Sequence, residues 1–151
     1  MALGAQTTIG EAFGELAGRE VAAREGLTPL KISSRPGSGS IDQAWLSSDR
    51  FELVLQECKG PSAELGTKKV LDIGGVEVKT HQGSTAYLYE ILREDIALRD
   101  AIMADPQLRQ GLIDGSVTLR YREIRPDQFG HIQTTEFIID TSKLDLLGWL
   151  R

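Results

Sequence analysis

Residues Phe51–Lys59 read Phe-Glu-Leu-Val-Leu-Gln-Glu-Cys-Lys, the clearest strand in the chain and the segment that most restricts its fold. Strand side chains alternate faces with period two, so Leu53, Leu55, Glu57 and Lys59 share one face. That face is apolar for two positions and then abruptly ionic. A second strand, Ile41–Leu46, precedes it across a turn at Ser47–Arg50. Paired as a hairpin, the two run antiparallel, and Asp42 arrives near the same end as Glu57.

The other elements set this hairpin in a mixed α/β frame. Thr7 or Thr8 caps a first helix that runs to about Arg24 and stops at Gly26. Ile9, Phe13 and Leu16 form an apolar stripe on it, extended by Ala12 and Ala23. Gly10, Gly14, Gly18 and Ala22 form a second face of small residues, which lets another backbone come close. Only a narrow strip around Glu11, Glu15 and Arg19 is polar. A helix that is apolar or small almost all round is expected to be buried. Thr28–Ser33 reads as a strand, followed by the loop Ser34–Ser40. Val70–Lys79 reads as a hairpin turning at Gly74–Gly75. One long helix is expected from about Ser84 to Met103, with Leu88, Ile91, Leu92, Ile96 and Leu98 as its apolar positions. Asp105 and Pro106 supply an N-cap and an N1 proline for a short helix ending at Gly115. Two strands, Val117–Ile124 and Ile132–Asp140, flank a turn at Arg125–Gly130, and Thr141–Trp149 reads as a terminal helical turn. Helix, strands, helices, strands is the order of a mixed α/β or α+β domain.

At 151 residues and 40% hydrophobic, the chain has the size and composition of one domain spanning 1–151 with one sizeable core. Cys58 is its single cysteine, so no intrachain disulfide forms and the compartment is not legible from cysteines. No apolar run approaches the ~18 residues that mark a membrane span. Met1–Ile9 lacks the basic and apolar regions of a signal peptide. Seventeen basic against 22 acidic residues give a net charge of -5, which argues against a sequence-independent DNA coat. The same balance is compatible with a metal centre, where clustered carboxylates are required.

The end of the third strand carries the chemistry. Glu57 can hold a divalent cation, and Lys59 can orient a water and stabilise charge developing on a phosphate. Mg²⁺ commonly takes one or two carboxylates plus phosphate oxygens and waters, and Asp42 supplies the second carboxylate. The competing reading is plain: Glu-x-Lys is common on solvated strand faces, and an Asp opening a strand is usually a turn residue. The apolar positions before Glu57 and the Gly/Ser-rich loop before Asp42 strengthen the reading as a site, and on the residues alone both readings stay open.

Arg35-Pro-Gly-Ser-Gly-Ser-Ile-Asp42, followed by Leu55-Gln-Glu57-Cys-Lys59-Gly60, resembles the PD-(D/E)XK nuclease superfamily. The resemblance is to the restriction-endonuclease-fold toxin domains of bacterial polymorphic toxins and secreted antibacterial effectors. Ile9-Gly-Glu-Ala-Phe-Gly14-Glu15 with Glu25-Gly26-Leu27 is similar to the opening helix of that branch. Lys59-Gly-Pro-Ser-Ala-Glu-Leu-Gly66 is similar to the segment after its lysine, and Gln82-Gly-Ser-Thr-Ala-Tyr87 to the glutamine opening its next helix. The match covers roughly Ile9 to Leu92. It implies an αβββαβ core with a central mixed sheet flanked by helices. It also implies metal binding (Mg²⁺ or Mn²⁺) by Asp42 and Glu57, water orientation by Lys59, an accessory Gln82, and support of the metal waters by a helix glutamate. Spacing to Gly26 points to Glu15 for that glutamate, the helical wheel points to Glu20, and Glu11 is a third candidate; Glu15 is taken. The Glu-Cys-Lys centre departs from the commoner Glu-Ala-Lys or Glu-Val-Lys. Cys58 faces away from both ionic neighbours and reads as a small core residue.

The resemblance further implies a DNase toxin, carried as the C-terminal part of a larger secreted protein, acting in the target-cell cytoplasm and neutralised by a cognate immunity protein. The alternatives are a housekeeping or defence nuclease of the same fold, resolvase-like, or a catalytically inactive binding relative. Among other residues, His81 and His131 read as loop or turn residues, and Tyr87 and Tyr89 as packing residues. Arg120, Arg122 and Arg125 with Lys68 and Lys69 are candidates for a phosphate-contacting edge, although surface basic residues more often serve solubility. Ser84 has no His/Asp set to make it a nucleophile.

Overall fold

A computed structural model describes residues 3–32, 40–60, 69–71, 77–79, 85–127, 129 and 131–151. Helix α1 (Leu3–Arg24) is followed by strands β1 (Thr28–Ile32), β2 (Gln43–Leu46) and β3 (Glu52–Cys58). A separate antiparallel ribbon, β4 (Lys69–Leu71) and β5 (Glu77–Lys79), comes next. Its connection, including Gly74–Gly75, lies outside the described residues. Helices α2 (Thr85–Glu94), α3 (Ile96–Met103) and α4 (Pro106–Asp114) then lead to β6 (Thr118–Pro126) and β7 (Ile132–Phe137). A 3-10 turn (Thr141–Lys143) and α5 (Leu146–Trp149) end the chain.

The main sheet has the order β1-β2-β3-β6-β7. The first three strands are antiparallel neighbours, β6 lies parallel to β3, and β7 is antiparallel to β6. A parallel pair needs a crossover of a dozen or more residues, and α2–α4 lie within it. The domain is therefore mixed α/β, a five-stranded mixed sheet flanked by helices. Among the described residues no helix is long and apolar enough to cross a membrane.

The two faces of the sheet are built differently. Ala44, Leu46, Leu53, Leu55, Leu119 and Tyr121 join Leu88, Ile91, Leu92, Leu98, Ile102, Leu108 and Leu112 of α2–α4 in the main core. Each leucine or isoleucine among them, fully buried, contributes about 1.5–3 kcal/mol of transfer free energy. The other face, under α1, is largely polar. Only Ala22, Trp45 and Val54 form a buried apolar cluster there. Gln43 Nε2 donates to the Glu15 carbonyl (2.9 Å), while Gln56 Nε2 donates to the Gly18 carbonyl (3.2 Å) and to Gln43 Oε1 (3.0 Å). Trp45 Nε1 also donates to Gln43 Oε1. Arg122 Nε donates to Gln56 Oε1 (2.7 Å), and its two terminal nitrogens grip the Glu25 carboxylate at 3.0 and 2.6 Å. This guanidinium holds the Glu25 carboxyl below its usual range.

Several expectations are corrected. Of the stripe Ile9–Phe13–Leu16, Phe13 and Leu16 do not enter the core, being 45% and 63% exposed, and the Ile9 side chain lies outside the described residues. The small-residue face packs inward instead, because the polar seam demands close backbone approach. A Cβ on Gly14 would lie 2.4 Å from the Lys59 carbonyl oxygen, and one on Gly18 2.7 Å from Cys58 Sγ. The expected long helix is two, divided at Asp95. The Asp95 carboxylate caps α3 by accepting from Leu98 N at 2.9 Å, so its backbone leaves the helical path. β6 runs on to Pro126, two residues past the expected end. α1 begins at Leu3, so Thr7 and Thr8 lie inside the helix rather than capping it, and β7 ends at Phe137 rather than Asp140. Asp105 does cap α4 with Pro106 behind it, Gly115 closes it in the left-handed conformation, and Gly26 (φ +70°) follows α1.

Candidate active site

Glu57 and Asp42 meet because the β2–β3 register places them in neighbouring rows. Gln43 pairs with Gln56 and Ala44 with Leu55, so the next step past Gln43 lies opposite Glu57. Both carboxyls are buried, at 5% and 6% exposure. The two carboxyls lie close enough for each to act on the other. Asp42 Oδ2 also accepts from Cys58 N at 2.8 Å. Glu57 Oε1 is buried with no hydrogen-bond partner. Lys59 follows β3 directly, half-buried, with its backbone N–H donating to the Ile124 carbonyl at 2.9 Å. Its charge favours the ionised form of both carboxyls.

The approach of Asp42 is fixed from the helical layer. Asp95 Oδ2 accepts from Ile41 N at 2.7 Å, and Lys31 Nζ bridges Asp95 (3.0 Å) and the Ile41 carbonyl. Both groups of this ion pair are buried, with side-chain exposures of 10% and 2%. One ion pair thus satisfies both backbone groups of the residue before Asp42. Sequence reading missed Lys31 and Asp95, and also Gln43, Gln56, Glu25 and the inward role of Arg122. Their only linear signal is a polar residue whose same-face neighbours two positions away are apolar, as Gln43 lies between Ile41 and Trp45 and Gln56 between Val54 and Cys58.

Glu15 belongs to this neighbourhood, since its charge acts on the Cys58 thiol together with those of Asp42 and Glu57. Glu20 does not. It is exposed and pairs with Arg24 at 3.0 Å across one helical turn, contrary to the burial that the helical wheel suggested. The Glu11 side chain and Gln82, with His81, Ser84 and Lys68, lie outside the described residues. Cys58 is buried, and burial pushes its thiol well above the usual range, as befits a core residue. His131 is a turn residue paired with Asp127.

Burial first, and then the Asp42 charge, hold the Glu57 carboxyl well above the usual carboxylate range. Burial raises Asp42 too, against the pull of the Cys58 N–H. Without a cation, the pair therefore keeps a proton on Glu57 that the unfolded chain would release. Such a group stabilises the fold fully below its unfolded value, and that contribution is lost as pH rises through the folded value. Metal-free protein should melt at progressively lower temperature as pH is raised from about 5 to about 8. Glu57→Gln, which cannot ionise, should flatten the trend. Glu25 and Asp105, lowered by Arg122 and Arg50 respectively, contribute stability that is lost only as pH falls through their lowered values, on the acid side of this window. Thermal melts in chelator across pH check the point, and a melting temperature that climbs over this range in the wild type would contradict it.

Among the described residues no group of three or more His, Cys, Asp or Glu is arranged to hold a metal ion. What the site offers is two neighbouring carboxyls, one carrying a buried oxygen without a partner. That donor set suits Mg²⁺ or Mn²⁺, which complete their shells with waters and phosphate oxygens. No family model, no curated protein and no solved structure matches the chain.

Proposed function

We propose that this chain is a metal-dependent phosphodiesterase of the PD-(D/E)XK type that cuts DNA, built on an αβββαβ core formed by α1, β1–β3, α2 and β6. The observation that carries the proposal is the buried Asp42–Glu57 carboxyl pair beside Lys59, with Glu57 Oε1 left without a partner. Asp42 and Glu57 would hold the cation, which when bound supplies Lewis acidity toward the phosphate and lowers the pKa of water. Lys59 orients the attacking water and counters the charge that develops on the phosphate. Cys58 N fixes the Asp42 carboxylate through its hydrogen bond, and Glu15, whose charge acts on the intervening Cys58 thiol, would support the metal waters. The sequence resemblance extends the reading to a toxin domain delivered into a target cell and neutralised by an immunity protein.

Purified protein incubated with plasmid DNA and total RNA, with Mg²⁺, Mn²⁺ or chelator, tests the chemistry. Metal-dependent loss of supercoiled plasmid is expected. Plasmid that stays intact with both metals across neutral pH would overturn the proposal, and degradation of RNA alone would reassign the substrate. Expression inside bacteria tests the biology: intact protein should stop growth and erase nucleoids, and Glu57→Ala should relieve both effects. Normal growth with intact nucleoids would leave a housekeeping nuclease or an inactive relative as the better account.

A further inference from the structure

β6 carries three arginines, and two of them are fully engaged. Arg120 bonds Glu136 at 2.6 and 3.1 Å and lies 3.6 Å from Glu52. Arg122 is sunk in the seam under α1 between Gln56 and Glu25. Arg125 lies on the opposite face, the one that carries Leu119, Tyr121 and Glu123 by strand alternation. In the parallel register Glu57 pairs with Glu123 and Cys58 with Ile124, and Lys59 N continues the ladder onto the Ile124 carbonyl. One further step brings Arg125 alongside Lys59, just past the carboxyl pair. Its Nε lies 3.4 Å from the buried Glu123 carboxylate, an ion pair that lacks hydrogen-bond geometry. Nε and Nη2 are both buried and make no hydrogen bond.

A guanidinium with unfilled buried donors is unfavourable unless something completes it. Nε and Nη2 form one edge of the planar fork, the edge that takes two oxygens of a phosphate at once. Glu123 balances part of the charge without filling either donor. We propose that Arg125 anchors a backbone phosphate of the nucleic-acid substrate beside Lys59. This inference rests on the phosphodiesterase reading, and it singles out Arg125 from three arginines that look alike in the sequence.

The test uses the full chain, a fluorescein-labelled DNA duplex, and the variants Arg125→Gln and Arg125→Lys. Binding is followed by anisotropy in chelator over a range of salt, and cleavage with Mn²⁺. Arg125→Gln should weaken binding about 10- to 100-fold, as expected for a lost pair of charge-assisted hydrogen bonds. It should also lower the slope of log affinity against log salt by about one phosphate contact. In cleavage it should raise KM more than it lowers kcat. Arg125→Lys keeps the charge, and with it the salt slope, but loses the fork and part of the affinity. Unchanged affinity and slope in a folded Arg125→Gln variant overturn the inference, while wild-type cleavage leaves the phosphodiesterase reading standing. If Arg125→Gln does not fold, wild-type affinity in Arg125→Lys overturns it instead. Duplex binding that depends on Arg125 without any cleavage supports the anchor and sinks the phosphodiesterase. A wild type that neither binds nor cleaves sinks both.

Discussion

Glu57→Gln should lower metal-dependent DNA cleavage by about 10²–10³-fold or more while leaving the fold intact. The amide is nearly isosteric with the protonated carboxyl, and its NH₂ can donate to Asp42 as a Glu57 proton can. The variant thus imitates the metal-free state and removes only the ability to become a carboxylate. Asp42→Asn and Lys59→Met should lose activity on a similar scale. Because the three groups serve one centre, a double variant should be little worse than either single one. Cleavage rates with Mn²⁺, read beside melting temperatures in chelator, decide the matter. A Glu57→Gln protein that turns over like the wild type would refute the site.

Gly14→Ala should destabilise the protein by about 1–3 kcal/mol, as overpacking typically does, and reduce cleavage as well. The new Cβ would stand 2.4 Å from the Lys59 carbonyl oxygen and 2.6 Å from its carbon. Backbone on both sides leaves no flexible side chain to yield, so α1 must lift away from the end of β3. That displacement moves Lys59, the residue proposed to orient the water, and loosens the contacts of Gln43 and Gln56 with the helix. Gly26 is a useful contrast. It has open space around it but φ of +70°, so alanine there should cost about 1 kcal/mol through the backbone alone and spare activity. Chemical denaturation and cleavage assays on both variants test this, and a Gly14→Ala protein as stable and active as the wild type would show that the close contact does not hold.

The convergence of Asp42 and Glu57 was legible in the sequence because it needs only strand alternation and a short turn. The caps at Asp105, Gly26 and Gly115 were legible for the same reason: each is set by one or two residues. The break at Asp95 was not, since Leu88, Ile91, Leu92, Ile96 and Leu98 carry an apolar pattern straight through it. Its acceptors' partners, Ile41 N and Lys31, lie 54 and 64 positions away. The orientation of α1 was misread because a wheel ranks faces by apolarity. The sheet beneath this helix presents glutamines and an arginine, which select for small residues and carbonyl access. Arg120, Arg122 and Arg125 were indistinguishable until the sheet register put them on opposite faces.

The single carboxylate of Asp95 starts helix α3 and also holds the amide just before Asp42. A helix end and the segment leading into β2 are therefore anchored to the same atom pair, one oxygen each. Fraying of the first turn of α3 and displacement of Asp42 become one opening event rather than two. In the folded chain the position of Asp42 therefore depends on that helix being docked, through contacts that join residues 31, 41 and 95.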